Sequence, residues 1–177
     1  MRVIETKLQG VFLVEPERLH DVRGFFASTW SQRDFKALGL NPNLVECNIS
    51  FNNQRGTLRG MHFQIAPHEQ VKLVRCTRGS VYDVIIDLRH ESPSSKQWIA
   101  VELTAENRKA LYIPGGLAHG FQTLEDNTEV FYQMSEVYAQ EYARGVRWND
   151  PAFGVEWPPA ERIILARDNS YKDWEAR

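Results

Sequence analysis

The sequence predicts an all-β protein, an antiparallel sandwich or barrel with a few short helices. Three observations support this prediction. Short segments of alternating apolar residues recur through the middle of the chain, turn-forming residues separate them, and helical periodicity is sparse. Many short strands at regular spacing are typical of β-sandwiches and β-barrels.

The predicted strands follow one another closely. They cover residues 71–77, 81–88, 97–103, 109–114, 119–124 and 129–138. Turn signals separate them at Arg78-Gly79-Ser80, Ser92-Pro93-Ser94, Pro114-Gly115-Gly116 and Glu125-Asp126-Asn127. Because side chains alternate along a strand, Lys72 shares a face with Val74 and Cys76. A lysine on an apolar face is unusual and indicates a specific role.

Helical and irregular segments are few. Residues 30–40 predict a weakly amphipathic helix that ends at Gly39, and Ala105-Glu106-Asn107 predicts one short helical turn. The tail from Trp148 is rich in Trp and Pro, which predicts an irregular segment lying over the barrel. No linker interrupts the pattern, so we expect a single domain over residues 1–177.

The composition excludes several classes of protein. The chain has 177 residues, 42% hydrophobic and 25% charged, with a formal net charge of -2. No general basic field is present, so nucleic acid is not an expected partner. No apolar run approaches the ~20 residues of a membrane helix, and the first residues show no secretory signal. Cys47 and Cys76 suit a reduced, unpaired state, and we expect a cytoplasmic protein.

Two histidine motifs raise a metal hypothesis. His62-Phe63-Gln64 resembles the first half of a metal-binding HxH motif, with Glu69 downstream, and residues 114–119 read PGGLAH, ending at His119. Two histidines and one carboxylate can bind Fe(II). Gln64, however, stands where the second imidazole of the first motif should be. We therefore expect no metal, and keep a metal-dependent enzyme as an alternative.

The same positions also suit acid–base chemistry. His62 is a natural general base near neutral pH, and Asp168 would orient it if the tail folds back over the barrel. Tyr132 would be an acid on the opposite side of a bound ring, and Lys72 would stabilise a developing enolate oxygen. Base, opposed acid and cation are what epimerisation beside a ketone requires. Each residue taken alone has an ordinary structural explanation.

Arginines provide candidates for binding an anionic ligand. Arg23 and Arg59 each precede a glycine, and two guanidinium groups near a cleft would clamp a diphosphate. The alternative for each is an ordinary surface ion pair.

The chain resembles the dTDP-4-dehydrorhamnose 3,5-epimerases over almost its whole length. The segments that carry the resemblance are DVRGFF, SFNNQRGTLRGMHFQ, QVKLVRCTRGSVYDVIIDLRHESPSSKQW, LTAENRKALYIPGGLAHGF, VFYQMSEVY and RWNDPAFGVEWP. The resemblance implies a cupin-type antiparallel jelly-roll barrel that forms a homodimer and uses no metal or organic cofactor.

The resemblance also implies roles for individual residues. His62 would be the base, oriented by Asp168, with Tyr132 the acid on the other ring face. Lys72 would steady the enolate. The implied substrate-binding residues are Arg23 and Arg59 at the diphosphate, His119 beside Lys72, Tyr138 stacked on the nucleobase, and Glu46, Asn48 and Arg167 around them.

Several positions depart from the family pattern. The segment Glu46-Cys47-Asn48 differs in its first two side chains, Ser28 and Ala143 replace glutamates, and Arg167 replaces a lysine. The proposed acid–base residues are intact, whereas the nucleotide- and sugar-contacting positions are partly altered. The leading hypothesis is an epimerase of a nucleotide-linked, dTDP-type 4-keto-6-deoxyhexose acting at C3, C5 or both. The alternatives are a ketoisomerase of nucleotide sugars, a metal-dependent cupin enzyme and a non-catalytic nucleotide-sugar binding protein.

Overall fold

A computed structural model describes residues 1–175 of the chain. The strands are β1 (Arg2–Glu5), β2 (Phe12–Glu15), β3 (Leu19–Asp21), β4 (Gly24–Phe26), β5 (Glu46–Asn52), β6 (Leu58–Gln64), β7 (Lys72–Arg78), β8 (Ser80–Asp87), β9 (Trp98–Thr104), β10 (Ala110–Ile113), β11 (Leu117–Thr123), β12 (Thr128–Met134) and β13 (Ala143–Gly145). The helices are α1 (Gln32–Ala37), a single 3₁₀ turn (Gln140–Tyr142) and α2 (Ala166–Asn169).

Two antiparallel sheets face each other and form the barrel. The larger has the order β1-β2-β10-β7-β12-β5, and the smaller has the order β13-β6-β11-β8-β9. Most neighbours within a sheet are distant in sequence, as in the pairing of β12 with both β5 and β7. A separate hairpin pairs β3 with β4. The fold is the cupin-type jelly roll that the sequence predicts, with few short helices.

The barrel interior is an apolar core shared by both sheets. Val74 and Cys76 of β7 contribute to it from the larger sheet, and Val81 and Ile85 of β8 from the smaller one. This confirms the predicted inward face of β7. Lys72 therefore lies on the inner surface of the barrel, at the end of that apolar row.

Different segments cover the outer faces of the two sheets. Phe35 of α1 packs on the larger sheet beside Leu73 and Tyr112. The tail covers the smaller sheet, where Trp157 and Trp174 pack against the outward side chains of β8 and β11. The predicted role of the Trp- and Pro-rich tail is confirmed. It also returns α2 to the barrel, and the tail residue Ile163 forms an isolated parallel bridge with Thr57.

The structure corrects several predicted boundaries. The helix expected over 30–40 covers only α1, where Ser31 accepts a capping hydrogen bond from the Asp34 amide. The strand expected over 129–138 ends at Met134, because the chain turns away into a loop over 135–142. Residues 105–107 form a hydrogen-bonded turn. The expected strand over 119–124 begins two residues earlier, at Leu117.

Two glycines allow β6 and β11 to approach closely in the middle of the smaller sheet. A Cβ atom on Gly60 would lie 2.6 Å from Cα of Gly120, and one on Gly120 would lie 2.7 Å from the Arg59 carbonyl oxygen. Gly60 also has a φ of 142°, which is outside the range that other residues favour. This close pairing places His62 directly opposite His119 on the neighbouring strand.

Candidate active site

Two adjoining cavities open between the sheets. The smaller one, which the buried residues His119 and Phe121 line and which we call the deeper cavity, has a volume of about 240 Å³. The larger one, which we call the outer cavity, has a volume of about 570 Å³. Both are lined by His62, Lys72, Tyr132 and Arg167, so they form one continuous cleft. His119, Arg59 and Asp168 line only the deeper cavity, whereas Glu46, Asn48 and Tyr138 line only the outer one. The structure thus gathers ten of the eleven predicted site residues.

His62 is paired with a carboxylate that the tail supplies. Its Nε2 lies 2.8 Å from Oδ1 of Asp168, whose other oxygen accepts a hydrogen bond from the Gly60 amide at 3.3 Å. The imidazole is 34% exposed, whereas Asp168 is 2% exposed. Hydrogen bonds from His62 and Arg167 keep the pKa of Asp168 below its usual value, although burial opposes them. An ionised Asp168 fixes the proton of His62 on Nε2 and leaves Nδ1 as the free basic nitrogen.

The ammonium group of Lys72 is buried and largely removed from solvent. Burial lowers its pKa to about 8, and the carboxylate of Asp83 opposes that shift. Its Nζ donates to the His62 carbonyl oxygen at 3.3 Å. At neutral pH the ammonium is therefore mostly protonated, but it is close to losing its proton. Such a group can stabilise an oxyanion and can also donate a proton to it.

Tyr132 faces the same space from β12. Burial is the main cause that raises its pKa, and a lesser effect of Arg59 lowers it. The Ser50 hydroxyl is close enough to lower that pKa slightly, yet it completes no hydrogen bond of normal geometry among the described residues. A phenol with a raised pKa keeps its proton at neutral pH, which suits a proton donor.

His119 forms a second histidine–carboxylate pair inside the barrel. Its Nε2 lies 3.0 Å and 2.9 Å from the two oxygens of Asp83. The side chains of His119 and Asp83 are 5% and 0% exposed. The imidazole meets the Tyr132 ring edge to face, with the centroids 6.3 Å apart. His119 is thus held rigidly beside both Tyr132 and Lys72, as a fixed polar contact at the floor of the deeper cavity.

The outer cavity is built around the loop over 135–142. Glu46 accepts hydrogen bonds from the Tyr138 amide at 3.0 Å and from Nδ2 of Asn48 at 2.6 Å, and these bonds lower its pKa. Tyr138 is 56% exposed, so its ring is available to a ligand. Gln64 of β6 holds this loop through hydrogen bonds of its side-chain amide. Its amide donates to the carbonyl oxygens of His68 and Val137 and accepts from the Ala139 amide.

The three predicted arginines are placed very differently. Arg59 donates to Oδ1 of Asn52 at 2.7 Å and lines the deeper cavity. Arg167 lies where the two cavities meet. Arg23 lies on the exposed β3–β4 hairpin, where its side chain is 86% exposed and pairs with Asp21. It lines neither cavity of its own chain.

The residues of the metal hypothesis are not assembled as ligands. No group of three His, Cys, Asp or Glu side chains with metal-binding geometry occurs within residues 1–175. Glu69 packs against Gly115 and Gly116, beside Arg89. The Nε2 atoms of His62 and His119 each face a separate carboxylate, and Gln64 is engaged by the loop over 135–142.

Asp83 is the main site residue that the sequence analysis missed. It lies in the strand VYDVIIDL, on the inward face that also carries Val81 and Ile85, and the sequence analysis did not identify that face. An acidic residue on an inward face is the signal that would have identified it. Tyr171 was also missed. Its ring lies 6.3 Å from that of His62, and a periodic pattern could not have placed a tail residue there.

This jelly-roll barrel, with a histidine–carboxylate pair, a tyrosine and a buried lysine around one cleft, has the fold and the side chains that a cupin-type epimerase needs. Residues 5–176 match the family model described as dTDP-4-dehydrorhamnose 3,5-epimerase. The chain is 41% identical over 160 residues to the dTDP-4-dehydrorhamnose 3,5-epimerase of Sinorhizobium fredii, which covers 90% of this chain and 82% of the relative.

Two solved structures are also similar. The Bacillus anthracis dTDP-4-dehydrorhamnose 3,5-epimerase, with TDP and PPi bound, has a TM-score of 0.94 and 39% identity, covering 98% of this chain and 99% of that one. The Legionella pneumophila dTDP-6-deoxy-D-glucose-3,5-epimerase, in complex with dTDP-4-keto-L-rhamnose, has a TM-score of 0.91 and 33% identity, covering 97% and 92%. The chain belongs to the dTDP-4-dehydrorhamnose 3,5-epimerase family and is a sugar-nucleotide epimerase.

Proposed function

We propose that the protein inverts C3, C5 or both in a dTDP-linked 4-keto-6-deoxyhexose. The observation that carries the proposal is the arrangement of the deeper cavity, where His62 on one sheet and Tyr132 on the other both line the space in which a sugar ring would sit. A base and an acid on opposite walls are what inversion of a carbon centre requires. The outer cavity would take the nucleotide.

The reaction starts with removal of a proton beside the ketone. Nδ1 of His62 takes the hydrogen from C3 or C5, and the electron pair of that C–H bond moves to form an enolate at the C4 oxygen. Asp168 holds the imidazole and stabilises the imidazolium that forms. A positioned general base of this kind contributes roughly 10²–10⁴-fold to the rate.

The reaction ends with proton delivery from the opposite face. Tyr132 gives its phenolic proton to the carbon, the C4 carbonyl reforms, and the tyrosinate then regains a proton from solvent while His62 releases one. The charge of Lys72 stabilises the C4 oxyanion, and His119 contacts the same part of the substrate. Fixed donors around a developing oxyanion are typically worth about 2.7–4 kcal/mol each.

The nucleotide would bind along the outer cavity. Tyr138 offers an exposed ring for stacking, and Asn48 and Glu46 line the wall beside it. Arg59 and Arg167 would contact the diphosphate between the two cavities. The residue types suit a nucleoside diphosphate, because guanidinium groups bind phosphate oxygens bidentately.

Solvent exchange tests the reaction directly. The protein is incubated with dTDP-4-keto-6-deoxyglucose in D₂O, and we expect deuterium at the carbon or carbons that it inverts. Tyr132→Phe should retain part of the exchange while blocking inversion, because the first proton can still leave. Exchange at neither carbon by the folded protein would contradict the proposal.

Product analysis separates the alternatives. A ketoisomerase would move the carbonyl from C4 to C3, whereas an epimerase leaves it at C4. A metal-dependent enzyme would contain stoichiometric metal when purified without chelator. A binding protein would bind the nucleotide sugar without any exchange. A panel of dTDP, UDP, GDP and CDP in a thermal-shift assay would identify the base.

We also propose that the protein is a homodimer. The β3–β4 hairpin exposes Leu19, Val22 and Phe26, at 62%, 105% and 72%, and β5 exposes Ile49 at 62%. A second copy would cover such apolar surface. The predicted diphosphate contact of Arg23 then requires the hairpin to reach the cleft of that second copy. Light scattering after gel filtration should give twice the chain mass, and a monomer would contradict this proposal.

The remaining expectations concern organisation and location. We propose a single domain over residues 1–177 and a cytoplasmic protein with no nucleic-acid or membrane partner. Among residues 1–175, no helix has the length and apolar character needed to cross a bilayer. The proposed proton transfers use side chains of one chain, and the diphosphate contact of Arg23 would come from the second copy.

A further inference from the structure

Arg167 contacts both members of the His62–Asp168 pair. Its Nε donates to Oδ1 of Asp168 at 3.0 Å, the same oxygen that His62 contacts. Its Nη2 lies 3.4 Å from Nε2 of His62. Nε2 of His62 must carry a proton to donate a hydrogen bond to Asp168, so it cannot accept a hydrogen bond from Arg167. The N–H groups of His62 and Arg167 therefore face each other.

This geometry works against protonation of His62. A guanidinium is always charged, and an imidazolium at 3.4 Å would be repelled by it. The guanidinium also shares the Asp168 oxygen that would otherwise serve the imidazolium alone.

The diphosphate of the proposed substrate is a second binding partner for Arg167. Its side chain is 61% exposed and lies at the junction of the deeper and outer cavities, where the proposed substrate would carry its diphosphate. A dianionic diphosphate competes well with a single shared carboxylate oxygen for a guanidinium fork. Asp168 would keep His62 and the Gly60 amide as partners when Arg167 leaves.

We infer that Arg167 is a positioning residue that couples substrate binding to base strength. In the empty cleft it is bonded to Asp168 and restrains His62. When the diphosphate binds, Arg167 turns to the phosphates and releases Asp168 to His62, so that the base becomes fully effective only beside a bound substrate. This inference rests on the proposed function, since it requires an anionic sugar nucleotide in the cleft.

Other charged or titratable groups also face His62, and they remain in place in an Arg167 variant. They are Asp168 and Tyr171 in the tail, Lys72 on β7, His119 on β11 and Tyr132 on β12. A variant of Arg167 alone therefore isolates its effect. Arg167→Gln removes the charge and keeps a polar side chain, and Arg167→Lys keeps the charge without the planar fork.

Proton uptake on ligand binding measures the coupling. dTDP-glucose is a suitable probe because both of its phosphates are esterified and neither titrates near neutral pH. Calorimetry at about pH 7, in buffers of different ionisation enthalpy, should show a fractional proton taken up by the native protein. We expect the uptake to fall at least about threefold in Arg167→Gln, with Arg167→Lys between the two. His62→Asn should abolish the uptake and identify the proton acceptor.

Steady-state kinetics give an independent readout. The pH dependence of kcat/KM reports groups of the free enzyme, and that of kcat reports groups of the enzyme–substrate complex. Arg167→Gln should therefore move the acid limb of the kcat/KM profile to higher pH by about one pH unit and leave the acid limb of the kcat profile in place. A residue that only binds phosphate would raise KM without moving the acid limb. Equal proton uptake and an unmoved acid limb in Arg167→Gln would overturn the inference, while the epimerase function would stand. Failure of the native protein to bind dTDP-glucose or to exchange deuterium would overturn both.

Discussion

The cleft contains two histidine–carboxylate pairs on neighbouring strands, and they are built in opposite ways. His119 and Asp83 both come from barrel strands and are almost completely buried. His62 comes from a barrel strand, but its partner Asp168 is delivered by the irregular tail, and the imidazole is one-third exposed. The first pair is part of the rigid core and the second is assembled when the tail docks. A proton-transferring base needs access to substrate, whereas a fixed polar contact does not.

The largest effect should come from removing the accessible imidazole. We expect His62→Ala to lower deuterium exchange into the substrate by about 10²–10⁴-fold, since it removes the proposed general base. His119→Gln, which keeps a polar contact, should lower exchange by no more than about tenfold. Equal losses in the two variants would mean that the two histidine–carboxylate pairs share one role.

Substitution of Asp168 should mainly lower the reaction rate, whereas substitution of Asp83 should mainly lower the stability of the fold. Asp168→Asn should lower kcat by about 10²-fold, because an uncharged amide stabilises the imidazolium poorly. Asp83→Asn should lower the free energy of unfolding by about 1–3 kcal/mol, because the amide cannot satisfy His119 as the carboxylate does. Urea denaturation and initial rates on the same protein samples would measure both. The reverse assignment of the two losses would contradict the distinction.

The core pair also acts through Lys72. Burial lowers the pKa of Lys72 to about 8, and the carboxylate of Asp83 opposes that shift. We therefore expect activity to fall as the pH rises through about 8. Asp83→Asn removes the opposing carboxylate, so the basic limb should move to lower pH. Lys72→Arg keeps its charge across this range, so in any residual activity the basic limb at about 8 should disappear. A native pH–rate profile that is flat from pH 7 to about 10 would exclude a protonated Lys72 from the mechanism.

The smallest effect should come from loosening the tail far from the cleft. Trp174 packs on Phe153, and its amide donates to Asp150 at 2.6 Å. Trp174→Ala should cost about 1–3 kcal/mol of stability and a few-fold in kcat, because Asp168 would be held less firmly. Lys172→Ala, at an exposed neighbour, is the control. An unchanged kcat in a clearly destabilised Trp174→Ala would show that the tail positions Asp168 without help from Trp174.

The same contrast explains what could be predicted from sequence. Lys72, Tyr132 and His62 lie on strands, and the two-residue period of a strand assigns each a face. The placement of Asp168 depends on the path of the tail, which has no period; here the resemblance to a family supplied what the residue pattern could not. Asp83 was missed because both faces of β8 are buried, one by the core and one by the tail, so its residue pattern does not distinguish the inward face. Arg23 lines neither cavity of its own chain, so its predicted diphosphate contact stays a prediction that depends on a second copy.

The hydrogen bonds of Gln64 have a consequence for how this barrel can change. Both ends of its amide are committed to the loop that presents Tyr138. Replacing it with histidine, as in barrels that bind metals, would place an imidazole two residues from His62 and would remove two hydrogen bonds to the loop and one to the His68 carbonyl oxygen. In this framework the side chain at position 64 can complete a metal site or hold the loop over 135–142, but not both. A gradual conversion between the two kinds of enzyme would therefore pass through a protein that does neither well.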